Sequence, residues 1–405
     1  MKKILIVAMG ISVDGGIGNC LFKMLQMITK ECSGYKIDLM LYELQDVGII
    51  TDYLNVINVI PLIYDEKIDL STKELISNFI ANKDRSKILK LLQARMLHKL
   101  NYKLPLLNFI ANEIKEIPEK YDIAISYSAM PTYISSFVAN SVKSKKKILW
   151  VHGDIDQNEA SKIKGLSSMK IRGLKNYKEI LDKYDDIITV SNGVKNSVCR
   201  IFPDVKNRAR TIHNFIDRDL IVKKSEEFVI NWEESTLNIL SVGRVSVEKG
   251  IDLAIETMEL LVKRNIAFKW YFVGYIQIPA RLLKKIEQRN LKKYIILLGV
   301  KENPYPYFNA CDVYVHTSYM EGYCTTTNEA RMLGKPVITT DVAGAREQIK
   351  DGWNGFVVEK NSKSIFDAIM RLIEQPELIE QFRKNNLSIN FSNEESIYKI
   401  KELLK

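Results

Sequence analysis

The 405-residue chain has few cysteines and histidines, and it has no long hydrophobic run. Its five cysteines are scattered without CxxC spacing, and its four histidines form no HExxH pattern. This usage argues against a disulfide framework and against zinc, and it indicates a reducing compartment. No stretch of about 18 apolar residues is present, so no segment is expected to span a membrane by itself. We therefore expect a cytoplasmic protein without a bound metal. The residues are Cys20, Cys32, Cys199, Cys311, Cys324, His98, His152, His213 and His316.

The length of the chain predicts two domains of about 200 residues each, because a single compact core rarely grows so large. Hydrophobic residues make up 46% and charged residues 27%, which is typical of a globular protein rather than a disordered one. The first residues, MKKILIVAMG, are interpreted as a buried strand and not a signal peptide. Their apolar run is short, and no small-residue cleavage site follows it.

The net charge of +10 indicates an anionic partner, such as a nucleotide, a nucleic acid or an acidic lipid surface. Residues 83–104 carry seven Lys or Arg against one Asp, with leucines at helical spacing. Such a basic amphipathic helix either lies on an anionic membrane or presents a solvated face over an internal apolar stripe. A second basic cluster favours a peripheral place on the inner face of the plasma membrane: Lys162, Lys164, Lys170, Arg172, Lys175 and Lys178. Nucleic acid is not expected, because no aromatic-interleaved basic motif accompanies these charges.

Short apolar runs alternate with longer helix-period segments in both halves of the chain, which predicts parallel sheets built from βαβ units. The predicted strands are KILIVAM, KIDLMLY, VINVIPLIY, DIAISYS, KKILWVH and DIITVS, and then LNILSVG, KWYFVG, YIILLG, DVYVHT, KPVITT and GFVV. Each half is predicted to be a doubly wound, Rossmann-like α/β domain. Pro203 and polar turn residues break the helical period within residues 201–219, so the domains are predicted to be 1–205 and 206–391.

Open α/β sheets bind ligands outside the carboxyl ends of their strands, and a glycine-rich loop follows the first strand. In GISVDGGIGN, Gly15 and Gly16 remove side chains where a helix begins, so a phosphate or sugar can approach the backbone amides. The alternative is a merely tight turn. The spacing is not G-x-G-x-x-G, and no acidic residue ends the second strand, which disfavours an oxidoreductase.

Two loops in the second half carry residues suited to a diphosphate-linked ligand. SVGRVSVEKG places Arg244 and Lys249 where both can reach one diphosphate, although each taken singly is an ordinary surface residue. In EGYCTTTNEARMLGKPVITT, a helix starting near Thr325 offers free amides to an anion. Glu329 is expected to accept the ribose hydroxyls, with Glu321 nearer the other end of the ligand. The alternative is that Glu329 merely favours the helix N-terminus and Glu321 faces solvent.

His152 is the histidine with the best claim to a functional role. A lone histidine is usually structural, but His152 follows the strand KKILWV and precedes Gly153 and Asp154. This position favours a hydrogen bond to a sugar hydroxyl.

These motifs together resemble glycosyltransferase family 4, whose members are retaining enzymes with the GT-B fold. The resemblance is strong over residues 235–360, which include the E-x7-E pair Glu321 and Glu329. It is thinner over the first domain, where DGGIG, WVHGD and TVSNGVK carry it. The family pattern differs at Cys324–Thr327, where hydrophobic residues are usual, and at YIQIPAR, where a glycine-rich turn is usual.

The resemblance implies a nucleoside-diphosphate sugar as donor substrate, no cofactor, and a glycan or lipid-linked acceptor of cell-surface polysaccharide synthesis such as capsule or O-antigen. It implies that Arg244 and Lys249 bind the diphosphate and that His152 touches the donor sugar. Residues 392–405 are assigned to the first domain, which binds the acceptor. Further donor contacts are implied for Gly15, Gly16, Gly299, Val300, Glu321, Gly322, Tyr323, Cys324, Thr325 and Glu329.

Two other functions remain open at this point. A GT-B nucleotide-sugar epimerase or hydrolase would use the same donor groups without an acceptor. A non-catalytic glycan- or nucleotide-binding subunit would have no need for Gly16, Arg244, Lys249 and both glutamates together.

Overall fold

The computed structural model describes residues 1–11, 16–42, 57–61, 93, 96, 117–128, 132–155, 177–233 and 235–405. Gly15 lies outside the described residues. The basic segment 83–104 is described only at Gln93 and Met96, and the second basic cluster only at Lys178. Within the described ranges, none of the helices combines the length and the hydropathy that crossing a membrane requires.

The chain divides into two compact units. Unit 1 comprises Met1–Val190, Val194–Asn214 and Glu395–Lys405, and unit 2 comprises Ser191–Gly193 and Phe215–Glu394. The division after Asn214 lies inside the 201–219 region in which the sequence places a boundary. The boundaries at 205 and 391 themselves stay predictions.

Unit 1 is built on a parallel sheet of seven strands in the order β3-β2-β1-β4-β5-β6-β7. Its strands are β1 (Lys2–Ala8), β2 (Tyr35–Leu41), β3 (Ile57–Pro61), β4 (Lys120–Ser128), β5 (Lys143–Val151), β6 (Asp186–Thr189) and β7 (Ala209–Thr211). The described helices are α1 (Gly16–Glu31), α2 (Tyr133–Ser141), α3 (Lys178–Leu181), α4 (Asn192–Ile201, with its first two residues in unit 2) and α13 (Glu394–Leu404, with its first residue in unit 2). In β1, Ile4, Leu5, Ile6 and Val7 are fully buried, as expected for a central strand covered on both faces.

Unit 2 is built on a parallel sheet of six strands in the order β10-β9-β8-β11-β12-β13. Its strands are β8 (Leu237–Val242), β9 (Phe268–Val273), β10 (Ile295–Gly299), β11 (Val313–His316), β12 (Val337–Thr340) and β13 (Gly355–Val358). Its helices are α5 (Arg218–Ser225), α6 (Ile251–Lys263), α7 (Ala280–Gln288), α8 (Tyr305–Ala310), α9 (Thr325–Met332), α10 (Ala345–Gln348), α11 (Ser362–Glu374) and α12 (Glu377–Leu387).

Both sheets have the strand order of a doubly wound fold, which confirms the predicted fold class. The order reverses between β1 and β4 in unit 1 and between β8 and β11 in unit 2. Crossover helices leave a doubly wound sheet on opposite faces at such a reversal, and ligands bind beside the loops that follow the strands there. In unit 2 the loops in question start at Gly243 and Thr317.

Candidate functional site

The loops after β8 and β11 are joined by hydrogen bonds near the point where the strand order reverses. Thr317 Oγ1 donates to the Lys249 carbonyl at 2.8 Å, and the Tyr319 amide donates to the Glu248 carbonyl at 3.1 Å. Gly250 makes this approach feasible. It has a φ of +75°, and a Cβ there would lie 1.9 Å from the Thr317 carbonyl oxygen. The contacts therefore fix Lys249 opposite the loop that leads to Glu321.

Four ionisable side chains follow one another across these loops. Lys249 Nζ lies 2.7 Å from Glu321 Oε1, and His316 Nε2 lies 2.9 Å from the same oxygen. On the other side of the imidazole ring, His316 Nδ1 lies 3.8 Å from Cys324 Sγ. The order Lys249, Glu321, His316, Cys324 is called the relay below. His316 ends β11, and Cys324 immediately precedes α9.

Basic and acidic groups alternate along the relay. Burial opposes charge on every member, but the neighbouring opposite charges outweigh it. Lys249 and His316 hold the pKa of Glu321 well below its usual range, and Glu321 raises the pKa of Lys249. Cys324 and Glu321 raise the pKa of His316 to about 10, while His316 lowers the pKa of Cys324. Such a buried network is stable only while each charge keeps its partner.

Three members of the relay are also the one group of potential metal ligands found within the described ranges. The ligand atoms of His316, Glu321 and Cys324 lie within 4.8 Å of one another. Glu321 and Cys324, however, contact different ring nitrogens of His316, and these nitrogens point away from each other. One ion could not bind all three residues without breaking one of these contacts, and the Lys249 ammonium already neutralises Glu321. The geometry favours a hydrogen-bonded relay over a metal site.

The N-terminus of α9 is suited to an anion. Cys324 is its N-cap and makes no side-chain cap hydrogen bond, and the first turn holds no acidic residue. The first amides of a helix lack intrahelical partners and carry the positive end of the dipole. Thr325 begins this turn, near the position that the sequence predicts, and Gly322 and Tyr323 directly precede the N-cap.

Arg244 lies in the loop after β8, and Glu329 lies in α9. The Arg244 guanidinium is half exposed and lies 3.5 Å from the Glu248 carboxylate, in the same loop as Lys249. Glu329, one turn into α9, is buried, and the Tyr305 hydroxyl hydrogen-bonds its carboxylate. Burial and this carboxylate together raise the pKa of Tyr305. Glu329 therefore has a partner inside unit 2, and Glu321, which contacts Lys249 and His316, does not simply face solvent.

Gly299 and Val300 lie at the carboxyl end of β10. Gly299 has a φ of +71° and its carbonyl accepts a hydrogen bond from the Gly274 amide at 2.8 Å. The Val300 side chain is exposed. These positions belong to the same carboxyl edge of the unit 2 sheet as the relay.

Unit 1 places Gly16 and His152 at carboxyl ends of its own strands. Gly16 begins α1 with a φ of +68°. His152 follows β5, is 8% exposed, and packs against the Tyr127 ring at a centroid distance of 4.3 Å. Burial lowers the pKa of His152 to about 3, so its imidazole is neutral at pH 7. Among the described residues, nothing hydrogen-bonds its Nε2 atom, which leaves a buried polar atom for a ligand to satisfy.

Sequence reasoning did not predict roles for His316 and Tyr305. His316 ends β11, and His152 directly follows β5. Because both histidines stand at the carboxyl end of a strand, the sequence could have indicated a role for His316 as well. Its pairing with Cys324 across a loop left no trace in residue spacing. Tyr305 offered no signal either, because its contact with Glu329 arises only from the packing of α8 near α9.

Comparisons with known proteins find similarity to glycosyltransferases. Residues 222–388 match the family model for "Glycosyl transferases group 1". An uncharacterised glycosyltransferase of Methanocaldococcus jannaschii is 28% identical over 294 residues, which span 70% of this chain and 75% of that protein. The capsular polysaccharide biosynthesis glycosyltransferase CapM of Staphylococcus aureus is 23% identical over 72% of this chain and 86% of its own.

A solved structure shows the same fold over the whole chain. HepE of Anabaena, in complex with UDP-glucose, superposes with a TM-score of 0.68 at 16% identity, covering 100% of this chain and 99% of its own. The fold is that of the GT-B glycosyltransferases. The segment that matches the "Glycosyl transferases group 1" model lies within unit 2, which also holds the relay and α9.

Proposed function

We propose that the chain is a retaining, metal-independent glycosyltransferase of family 4. It moves a hexosyl or N-acetylhexosaminyl group from a UDP-sugar to a glycan or lipid-linked acceptor in the synthesis of a surface polysaccharide such as capsule or O-antigen. CapM and the UDP-glucose complex of HepE support the reaction class and the donor. We place the reaction in the cytoplasm, with residues 83–104 holding the protein to the inner face of the plasma membrane.

The observation that carries the proposal is the 2.7 Å ion pair between Lys249 and Glu321. It places a cation and a carboxylate beside the uncapped N-terminus of α9, at the reversal point of the unit 2 sheet. An anionic diphosphate and a hydroxyl-rich sugar need this combination of groups. An ordinary surface ion pair has no need of a buried neighbour, whereas the pair of Lys249 and Glu321 has the buried His316 beside it.

The chemistry requires the nucleoside diphosphate to leave while positive charge grows on the anomeric carbon. Arg244, Lys249 and the first amides of α9 stabilise the negative charge of the leaving group. Glu321 accepts hydrogen bonds from the sugar, and Glu329 from the ribose. The neutral His152 donates from its unpaired Nε2 to a sugar hydroxyl, with the proton on that nitrogen. The leaving phosphate accepts the proton of the attacking hydroxyl, so attack occurs on the front face.

A transfer assay tests the proposal. UDP-, GDP- and ADP-sugars are first screened by thermal shift, and the stabilising donor is then incubated with glycan and lipid-linked acceptors. We expect transfer with the anomeric configuration retained, as read by NMR, and unchanged turnover in EDTA. Arg244→Ala should lower turnover at least about 100-fold, because it removes a group that stabilises the leaving charge.

Arg264 provides a matched control, because it is exposed and lies at the far end of α6. Arg264→Ala should leave turnover within about twofold of the wild type. Epimerised or free sugar as the main product without acceptor would instead identify an epimerase or a hydrolase. Turnover that Arg244→Ala leaves intact would remove this residue from the mechanism.

A further inference from the structure

Cys324 has the surroundings of an activated thiol. A nucleophilic cysteine is recognised by a base within hydrogen-bond reach and by a third group that orients the base. His316 Nδ1 lies 3.8 Å from Cys324 Sγ, and Glu321 holds the opposite ring nitrogen at 2.9 Å. Thr326 Oγ1 lies 3.2 Å from the sulfur, and the sulfur precedes a helix N-terminus, where a thiolate is stabilised.

Three other cysteines, Cys32, Cys199 and Cys311, have surroundings that raise rather than lower the pKa of the thiol. Burial raises the pKa of Cys311 to about 12 and also raises the pKa of Cys32 and Cys199, which are only half-buried. Cys20 is buried in α1. Cys324 is 7% exposed and less accessible than Cys32 or Cys199. If the ionisation of the thiol decides reactivity, Cys324 reacts first; if accessibility decides it, Cys32 and Cys199 react first. An experiment can therefore distinguish the two causes.

We propose that Cys324 is a redox-modification site, at which hydrogen peroxide oxidises the thiolate to a sulfenic acid and thereby blocks the donor site. The sulfur attacks one peroxide oxygen, so an S–O bond forms as the O–O bond breaks. The sulfur loses two electrons to the peroxide. The departing hydroxide takes the proton of the His316 imidazolium and leaves as water. The small size of hydrogen peroxide matters, because a thiol as little exposed as that of Cys324 can be reached only by small reagents.

The effect on the donor site rests on the proposed function. The new oxygen lies at the start of α9, where it competes with a diphosphate for the first amides. Oxidation also leaves His316 neutral, so Glu321 loses one of its two cationic partners, which disturbs its pairing with Lys249. Binding of a nucleoside diphosphate should weaken, and a thiol reductant should restore it.

The oxidation itself is tested without any sugar. The protein is treated with hydrogen peroxide at pH 7 and quenched with catalase. It is then unfolded in dimedone, and the sulfenic acid at each cysteine is quantified by mass spectrometry. We expect Cys324 to be modified about tenfold faster than Cys32 or Cys199, because its thiolate fraction is larger. His316→Gln should remove this advantage, and Cys199→Ser should leave it intact. Faster modification of Cys32 or Cys199, or no effect of His316→Gln, would overturn the proposal.

The consequence is tested by calorimetric titration of UDP before peroxide, after peroxide and after dithiothreitol. We expect at least a tenfold loss of affinity that dithiothreitol reverses. The variants Cys324→Ser and Cys324→Ala should each bind UDP with the same affinity before and after peroxide treatment. Undiminished UDP binding by protein fully oxidised at Cys324 would overturn the blocking effect. Failure of untreated protein to bind UDP would instead contradict the proposed function, with the mass-spectrometric result unaffected.

Discussion

Lys249 and Glu321 show how single residues from distant parts of the sequence form the site. They are 72 positions apart, and the side chain of Lys249 is only 25% exposed, that of Glu321 only 13%. A buried charge that loses its partner costs several kcal/mol, which explains why both are present together. The E-x7-E spacing pointed to Glu321 and Glu329, but not to the relay that places Glu321 between two cations.

The buried residue His152 should make the free energy of unfolding depend on pH. The folded protein holds the pKa of His152 at about 3, whereas an unfolded histidine titrates near 6.5. Below pH 6.5 the unfolded chain therefore binds a proton that the folded chain excludes, and stability falls as the pH is lowered toward 3. The expected contribution is about 1.4 kcal/mol per pH unit.

Urea unfolding of unit 1 at pH 6.5, 5.5 and 5.0 measures this dependence. His152→Gln has no titrating ring, so its free energy of unfolding should fall less steeply with acid than that of the wild type. Equal slopes for the two proteins would show that His152 is not held neutral by burial.

Among the structural elements, the turn at Gly250 connects the β8 loop to the β11 loop. An alanine there would need a left-handed backbone, and its Cβ would meet the Thr317 carbonyl at 1.9 Å. We expect Gly250→Ala to separate the two loops, to lower stability by more than about 2 kcal/mol, and to weaken binding of UDP.

Gly352 supplies the control for that substitution. Its φ is +71°, but a Cβ there would have no atom within 4 Å. Gly352→Ala should therefore cost only the backbone strain, about 1–2 kcal/mol, and leave UDP binding unchanged. Chemical denaturation and calorimetry compare the two variants, and equal losses in both would contradict a special role for the Gly250 turn.

The strands and helices show what sequence patterns can and cannot predict. All twelve predicted strands are present, because buried parallel strands leave continuous apolar runs in the sequence. The edge strand β7 was missed, since Ala-Arg-Thr is short and polar. The start of α9 at Thr325 was predicted, whereas the contact of His316 with Cys324 depends on how the intervening loop folds back.

In the whole molecule, two sheets of the same winding hold different candidate site residues. Unit 2 holds the cations, the carboxylates and the helix N-terminus, and it contains the segment that matches the glycosyltransferase family model. Unit 1 holds the neutral His152 and the glycine that begins α1. The division of labour between donor and acceptor stays a prediction from the family resemblance.

The binding of UDP to wild-type protein and Lys249→Ala, compared by isothermal titration calorimetry, tests the central claim most directly. Lys263, which is exposed at the end of α6, gives the matched control variant Lys263→Ala. We predict that Lys249→Ala weakens UDP binding at least about tenfold, because a charge-assisted contact to the diphosphate is lost, while Lys263→Ala binds as the wild type does. Equal affinities for all three proteins would show that Lys249 does not bind the diphosphate and would contradict the account.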